Sequence, residues 1–208
     1  MLNLFNNKPY LFHLHTDLTD GTLRPDNYFS FGRRANLTLG FLEHVRQNPT
    51  YDPILFIKNI RELSKKYSVP VKVGFEVNIS DTGLNIPREA LKSADMVGLA
   101  IHRYSGTPVD VLNAYIANIK RIKAIKNDIP IIWVHPGLWF RKNGLLKENT
   151  VYFLSLLKYV IKKGLLVEFN KRHDLPPLIL SGMVPQKQRI IGYDIHTNKD
   201  LNQVKIRR

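Results

Sequence analysis

Short apolar runs recur along the chain at Tyr10–Leu14, Leu37–Leu42, Val71–Val77, Met96–Ile101, Pro130–Val134, Leu165–Phe169 and Arg189–Tyr193. Runs of this length, rich in branched and aromatic residues and bounded by turn formers, predict buried strands. Between them, apolar residues fall three or four apart, most clearly over Pro53–Tyr67, Pro108–Lys126 and Thr150–Lys163, and predict helices. In the middle helix Val109, Leu112, Ile116, Ile119, Ile122 and Ile125 form the stripe expected to face the core. Strand alternating with helix predicts an α/β fold with a mostly parallel sheet. Asn78–Pro87 and His173–Gln188 are rich in turn formers and read as loops, the second containing the helix-excluding pair Pro176–Pro177. No repeat or break in composition divides the sequence, so one domain spanning 1–208 is expected.

Composition narrows the chemistry. With 208 residues, 44% hydrophobic, 23% charged and 10% aromatic, the chain has the material for one filled core and the profile of a folded protein. There is no cysteine, which excludes disulfides, thiolate nucleophiles and every cysteine-ligated metal site. Any metal must then be held by His, Asp or Glu. The net charge of +14 suits a nucleic acid, an anionic membrane face or a phosphorylated small molecule, and equally a merely lysine-rich background. Lys120, Arg121, Lys123 and Lys126 stand near the end of the middle helix, where cations suit the helix dipole, and read as a solvated face. The opening residues MLNLFNNKP lack a signal-peptide pattern and no run of about 18 apolar residues occurs. A cytoplasmic protein with no membrane partner is the expectation; the sequence sets no oligomeric state.

The histidines are placed with more order than their number implies. His13 and His15 close the first predicted strand, on alternate residues that a strand of period two directs to one side. His44, His102 and His135 each follow a predicted strand, Glu76 ends another, and Asp194 with His196 follows the last. In a parallel barrel all these carboxyl ends open onto one face. One histidine at a strand end is usually an ordinary capping or surface residue. A set repeated on successive strands points instead to a shared site. Imidazole with carboxylate suits Zn, Mn or Fe rather than Mg or Ca alone. A single catalytic zinc takes about three protein ligands, so this many donors implies two or three divalent ions, with Glu76 as the natural bridge.

These residues resemble the motifs of the polymerase and histidinol phosphatase (PHP) superfamily of metal-dependent phosphoesterases. His13-Leu14-His15-Thr16 with Asp20-Gly21 resembles its first motif, Gly40-Phe41-Leu42-Glu43-His44 the second and Gly74-Phe75-Glu76 the carboxylate motif. Ile101-His102 and Trp133-Val134-His135-Pro136 resemble the next two, and Gly192-Tyr193-Asp194-Ile195-His196 the last. The order matches that of the family from residue 13 to residue 196. The resemblance implies a distorted (β/α)7 TIM-like barrel of PHP type. It also implies a trinuclear centre ligated by His13, His15, Asp20, His44, Glu76, His102, His135, Asp194 and His196, with Glu76 bridging and a metal-bound hydroxide attacking phosphorus. Glu43 stands where the family usually has Asp, and Tyr193 where serine is common.

Glu168-Phe169-Asn170 resembles a Glu-x-Asn strand of the family. It makes Glu168 a candidate for orienting a ligand and Asn170 a candidate for binding substrate. Arg103, Arg141 and Arg172 follow candidate ligands on the same side and suit a phosphate, Arg103 most directly because it adjoins His102. His173 reads either as a proton donor or as a plain loop histidine. Trp139, Phe140 and Tyr104 are candidates either to stack on a substrate or to pack in a wall. The leading expectation is hydrolysis of a small phosphomonoester such as histidinol phosphate, a sugar phosphate or a nucleotide. The alternatives are a nuclease or phosphodiesterase drawing on the positive charge, a protein-tyrosine phosphatase, and a non-enzymatic polymerase-associated metal-binding domain.

Overall fold

The computed structural model describes residues 4–5, 8–80, 83–148 and 150–204. Seven parallel strands pair in sequence order: β1 Tyr10–Leu14, β2 Thr38–Val45, β3 Val71–Asn78, β4 Met96–Ala100, β5 Ile131–Trp133, β6 Leu166–Asn170 and β7 Arg189–Gly192. The crossovers carry helices α1 Pro25–Ala35, α2 Pro53–Tyr67, α3 Arg88–Ser93, α4 Pro108–Ile125, α5 Leu138–Lys142, α6 Leu145–Glu148, α7 Thr150–Lys162 and α8 Leu178–Ser181, and α9 Asn198–Asn202 follows β7. The sheet returns on itself just beyond β7. There Tyr193 N–H donates to Phe12 O at 3.0 Å, Ile195 N–H to His13 O at 2.9 Å and His15 N–H to Ile195 O at 3.1 Å. The product is a nearly closed parallel barrel of the TIM-like kind, with all strand carboxyl ends at one mouth.

The longer helices follow from local signals. α2 starts where the Asp52 carboxylate accepts from the Ile54 and Leu55 N–H groups ahead of Pro53. α4 starts with a capping box between Thr107 and Asp110. Its buried line, however, is Val111, Tyr115, Asn118, Ile119 and Ile122, while Val109 lies in the first turn and faces solvent. The basic cluster at its end is also divided. Lys120 and Arg121 are exposed. Lys123 Nζ instead donates to Asn127 O and Ile129 O, and Lys126 Nζ to Lys92 O and Ala94 O, so these two ammonium groups satisfy helix-end carbonyls instead of facing water. The segment read as a loop over His173–Gln188 contains α8 and a 3-10 turn at Gln186–Gln188, both too short to leave a periodic pattern.

Apolar side chains fill two compartments. One lies between barrel and helices and includes Leu14, Phe29, Phe41, Phe75, Trp133 and Phe153. The other is inside the barrel, where Phe12, Leu42, Met96, Ile132, Leu166 and Ile190 form a plug with Leu4 and Phe5 against it. Each fully buried side chain of this kind contributes about 1.5–3 kcal/mol, and together they keep water out of the lower barrel. The upper barrel is left to polar residues. No helix among the described residues is long and apolar enough to cross a membrane.

Candidate metal centre

The polar layer depends on local departures from regular strand. Phe12 pairs with Gly40 and Leu14 with Phe41, so His13 is an extra residue in a bulge, at φ 72°. The bulge resets the alternation: Phe12 fills the plug, Leu14 packs outside, and His13 and His15 both reach the upper layer. Plain alternation from His13 to His15 therefore does not describe this strand. His135 at φ 47° and Asp194 at φ 54° also lie in left-handed backbone. Non-glycine residues there cost on the order of 1–3 kcal/mol and cluster at functional sites. β2 extends past its apolar run to include His44, while Glu76 lies within the third run and alternates with Phe75 and Val77 of the outer core.

The donors fall into an inner and an outer set that share members. Glu76 Oε2 lies 2.7 Å from His13 Nε2 and 3.4 Å from His15 Nε2, while Oε1 lies 3.1 Å from His102 Nε2 and 3.4 Å from His135 Nε2. The two oxygens thus face two different histidine pairs. Asp194 Oδ1 stands 3.5 Å from His15 Nε2 and 3.8 Å from His13 Nε2. Nearer solvent, Asp20 Oδ2 lies 3.2 Å from both His44 Nε2 and His196 Nε2. The imidazole of His15 stacks between those of His44 and His196, with centroids at 4.5 and 4.3 Å. Donor atoms converge within 4.8 Å in four groups: His13, His15 and Glu76; His13, His135 and Asp194; Glu76, His102 and His135; and His15, Asp20, His44 and His196.

Protein partners do not account for this layer. Both ring nitrogens of His15, Glu76 Oε1 and Asp194 Oδ1 are buried without a hydrogen bond among the described residues. Such atoms cost about 1–3 kcal/mol each when left unmade, so their grouping fits divalent cations coordinated by nitrogen and carboxylate oxygen. The charges support this. Burial works against an imidazolium at His13, but the Glu168 and Asp194 carboxylates overcome it and lift its pKa to about 10. His15 is lifted well above its usual value against the same burial by the carboxylates of Asp194, Glu43 and Glu76, which stand 3.4–3.8 Å from its ring nitrogens. Burial disfavours the carboxylate of Glu76, yet His135 and His44 hold it well below the usual range. Asp20 is held low by its bonds to His196 and His44, and Asp194 by His13 and His15, likewise against burial. Without cations, protons on His13 and His15 offset part of this concentration of carboxylate.

The remaining candidates support the donors. Glu168 is wholly buried: Oε1 lies 2.5 Å from His13 Nδ1, while Oε2 accepts from His135 N–H at 2.9 Å and Asn170 Nδ2 at 3.0 Å. A Cβ at residue 192 would overlap this carboxylate, which explains glycine there. Asn170 Nδ2 is 3.1 Å from His135 Nδ1 and Oδ1 accepts from His173 N–H, so Asn170 positions the site from within its wall instead of facing a ligand. Glu43 accepts from the N–H and hydroxyl of Thr16, the hydroxyl of Thr19 and His44 N–H, tying the Asp20 loop to β2. Arg172 Nη1 donates to Asp194 O at 3.1 Å and contacts the His196 ring. His173 Nε2 faces Asp194 Oδ2 at 3.1 Å. Arg141 donates to His173 O and lies off the cavity, holding a loop.

A cavity of about 750 Å³ opens over the donors. It is lined by Asp20, His44, Glu76, His102, His135, Asp194 and His196, by Arg103, Arg172 and His173, and on its outer side by Arg46, Tyr51, Asn78, Asn85 and Lys142. The sequence reading missed Arg46 and Lys142; the available signal was their position just beyond β2 and in the short helix after β5. Trp139 and Phe140 are buried in the outer core and Tyr104 lies outside this lining, so none of the three offers a stacking face to it.

No protein-family model matches the chain, and no curated protein matches it in sequence. A crystal structure described as an amidohydrolase II superposes with a TM-score of 0.51 at 12% identity, over 90% of this chain and 87% of that one. At that identity the likeness is one of fold.

Proposed function

We propose that this chain is a metal-dependent phosphoesterase that hydrolyses a small phosphomonoester, using two or three divalent ions of Mn, Zn or Fe. The observation that carries the reading is Glu76, whose two buried oxygens face separate histidine pairs in the way a bridging carboxylate must. The motif order from His13 to His196, with its resemblance to the PHP superfamily, supports phosphorus as the target.

His13, His15 and Glu76, with Asp194 beside them, would hold one ion, Glu76, His102 and His135 a second, and His15, Asp20, His44 and His196 a third. Bound ions supply a nucleophile from water at neutral pH and neutralise charge on the phosphoryl oxygens. The protein's own part is orientation. Glu168 fixes the ring of His13, Asn170 that of His135, and Arg172 the turn carrying Asp194 and His196. Arg103, exposed on the cavity wall beside His102, is placed to meet a phosphate oxygen. The apolar plug closes the site from below, so substrate enters only from the mouth. The lack of Trp139, Phe140 and Tyr104 from the cavity wall favours a small phosphoester over a strand of stacked bases.

The test is turnover with manganese or zinc on an aryl phosphate, histidinol phosphate, a nucleotide monophosphate and a labelled single-stranded oligonucleotide, with Glu76→Gln as the blank. Metal-dependent release of phosphate from monoesters, absent in the blank, is expected. Cleavage of the oligonucleotide alone, or hydrolysis unaffected by Glu76→Gln, would overturn the reading.

A further inference from the structure

The cavity is larger than a phosphate needs, and its charge is distributed unevenly. Among the described residues, every acid in its lining, Asp20, Glu76 and Asp194, belongs to the donor groups. Outside those groups the charged side chains of the lining are cations: Arg46, Arg103, Lys142 and Arg172. Arg172 is committed to Asp194 and His196. Arg46, Arg103 and Lys142 are exposed, and no ion pair or hydrogen bond engages any of them among the described residues. Once those acids are occupied by cations, the remaining charged side chains of the described outer cavity are positive.

The segments that carry these cations are held in place. Tyr51 donates to His44 O at 2.6 Å and Asn85 accepts from Gln47 N–H, which pins the turn bearing Arg46 from two sides. Across the cavity, Asn78 accepts from His102 N–H at 3.0 Å, and Trp139 Nε1 donates to Tyr104 O at 3.3 Å. Those bonds fix the turn bearing Arg103 against α5, whose last residue is Lys142. Apart from Tyr51, whose hydroxyl is already used, and the imidazoles, the lining contains no aromatic ring.

We propose that Arg46 and Lys142 form a second anion subsite, and that the substrate is a small non-aromatic bisphosphate, with one phosphate over the donor cluster beside Arg103 and the other at this rim. The inference rests on the phosphoesterase reading for the first phosphate, while the rim stands on its own geometry. Charge-assisted contacts to two cations raise affinity by about tenfold or more, and increasing salt weakens them.

The probes are a hexose 6-phosphate and the matching hexose 1,6-bisphosphate as substrates, with a butyl monophosphonate and butane-1,4-bisphosphonate as non-hydrolysable ligands in calorimetry on the manganese-loaded full chain. The bisphosphonate should bind about tenfold or more tightly than the monophosphonate, and kcat/KM should favour the bisphosphate by a similar factor. Arg46→Ala and Lys142→Ala should each cut both preferences by about tenfold, whereas Lys120→Ala on α4, which removes the same charge elsewhere, should leave them within about twofold. Equal binding of the two phosphonates, preferences unchanged in both rim variants, or displacement of the bisphosphonate by an equal concentration of a thymidine oligonucleotide would overturn the proposal. If the bisphosphonate is preferred but no phosphoester is turned over, the rim is upheld and the phosphoesterase reading fails. If both esters turn over equally, the reverse holds.

Discussion

Glu168 and His13 at the floor of the site have no exposed surface, whereas the Asp20 side chain at its mouth is 52% exposed and that of His44 28%. The floor is built by bonds within the barrel: a bulge, three left-handed residues and a carboxylate that fits only beside a glycine. The mouth is built by a loop, Thr16 to Asp20, tied down through Glu43. The same kinds of side chain therefore answer to different constraints. On the floor, an altered donor leaves a buried charge unpaired and affects stability and metal together. At the mouth, water can replace the lost partner and the change is confined to one ion.

The difference can be broken most severely at the residue joining both histidine pairs of the floor. Glu76→Gln removes several kcal/mol of transition-state stabilisation, which corresponds to about a thousandfold or more in turnover. Initial rates on an aryl phosphate measure it. The next effect is on the floor's framework. Glu168→Ala or Gly192→Ala should cost about 3 kcal/mol in the metal-free protein, because buried His13 loses or misaligns its Nδ1 partner and keeps only Glu76, and should weaken metal affinity by about 10–100-fold. Urea titration and competition with a chelating dye follow the two quantities. Asp20→Asn at the mouth should change stability by only about 0.5 kcal/mol while removing one ion. An equal loss of stability at Asp20 and Glu168 would erase the distinction.

Protons sharpen it further. The depressed carboxylates of Glu76, Glu168 and Asp194 contribute stability above their ordinary values of 4.5 and 3.8, and lose it as pH falls through the folded values. His13, lifted from 6.5 to about 10, contributes fully below 6.5 and loses its contribution as pH rises through about 10. The metal-free protein should therefore be most stable between about pH 4.5 and 6.5 and weaken toward alkaline pH. Saturating manganese should reverse the alkaline decline, since ions and protons compete for the same nitrogens. Thermal melts with chelator and with manganese would show this, and parallel profiles under both conditions would contradict it.

What the sequence revealed of the fold, and what it hid, follows from the same division. Tyr10–Leu14 and Pro53–Tyr67 are legible to the residue because apolar pattern and cap coincide. β2 and β3 run further than their apolar patterns, to Val45 and Asn78, because the polar residues Glu43, His44 and Asn78 interrupt the pattern at their ends. Function there erases the signal that marks a strand. α1 escaped notice although Pro25 and Asp26 open it, since Tyr28, Phe29, Phe31 and Gly32 read equally as strand or helix. The donors were legible because they follow successive strands. The bulge at His13 and the left-handed backbone at His135 and Asp194 were not, since nothing in a non-glycine residue announces positive φ. Arg46 and Lys142 were hidden among many other surface cations.

Metal content after equilibrium dialysis against manganese, measured by mass spectrometry on wild type, Asp20→Asn and Glu76→Gln, tests the shared cluster most directly. Wild type should retain two or three ions per chain, Asp20→Asn one fewer, and Glu76→Gln at most the single ion at the mouth. Equal manganese in wild type and Glu76→Gln, or none in wild type, would contradict a metal centre built around Glu76.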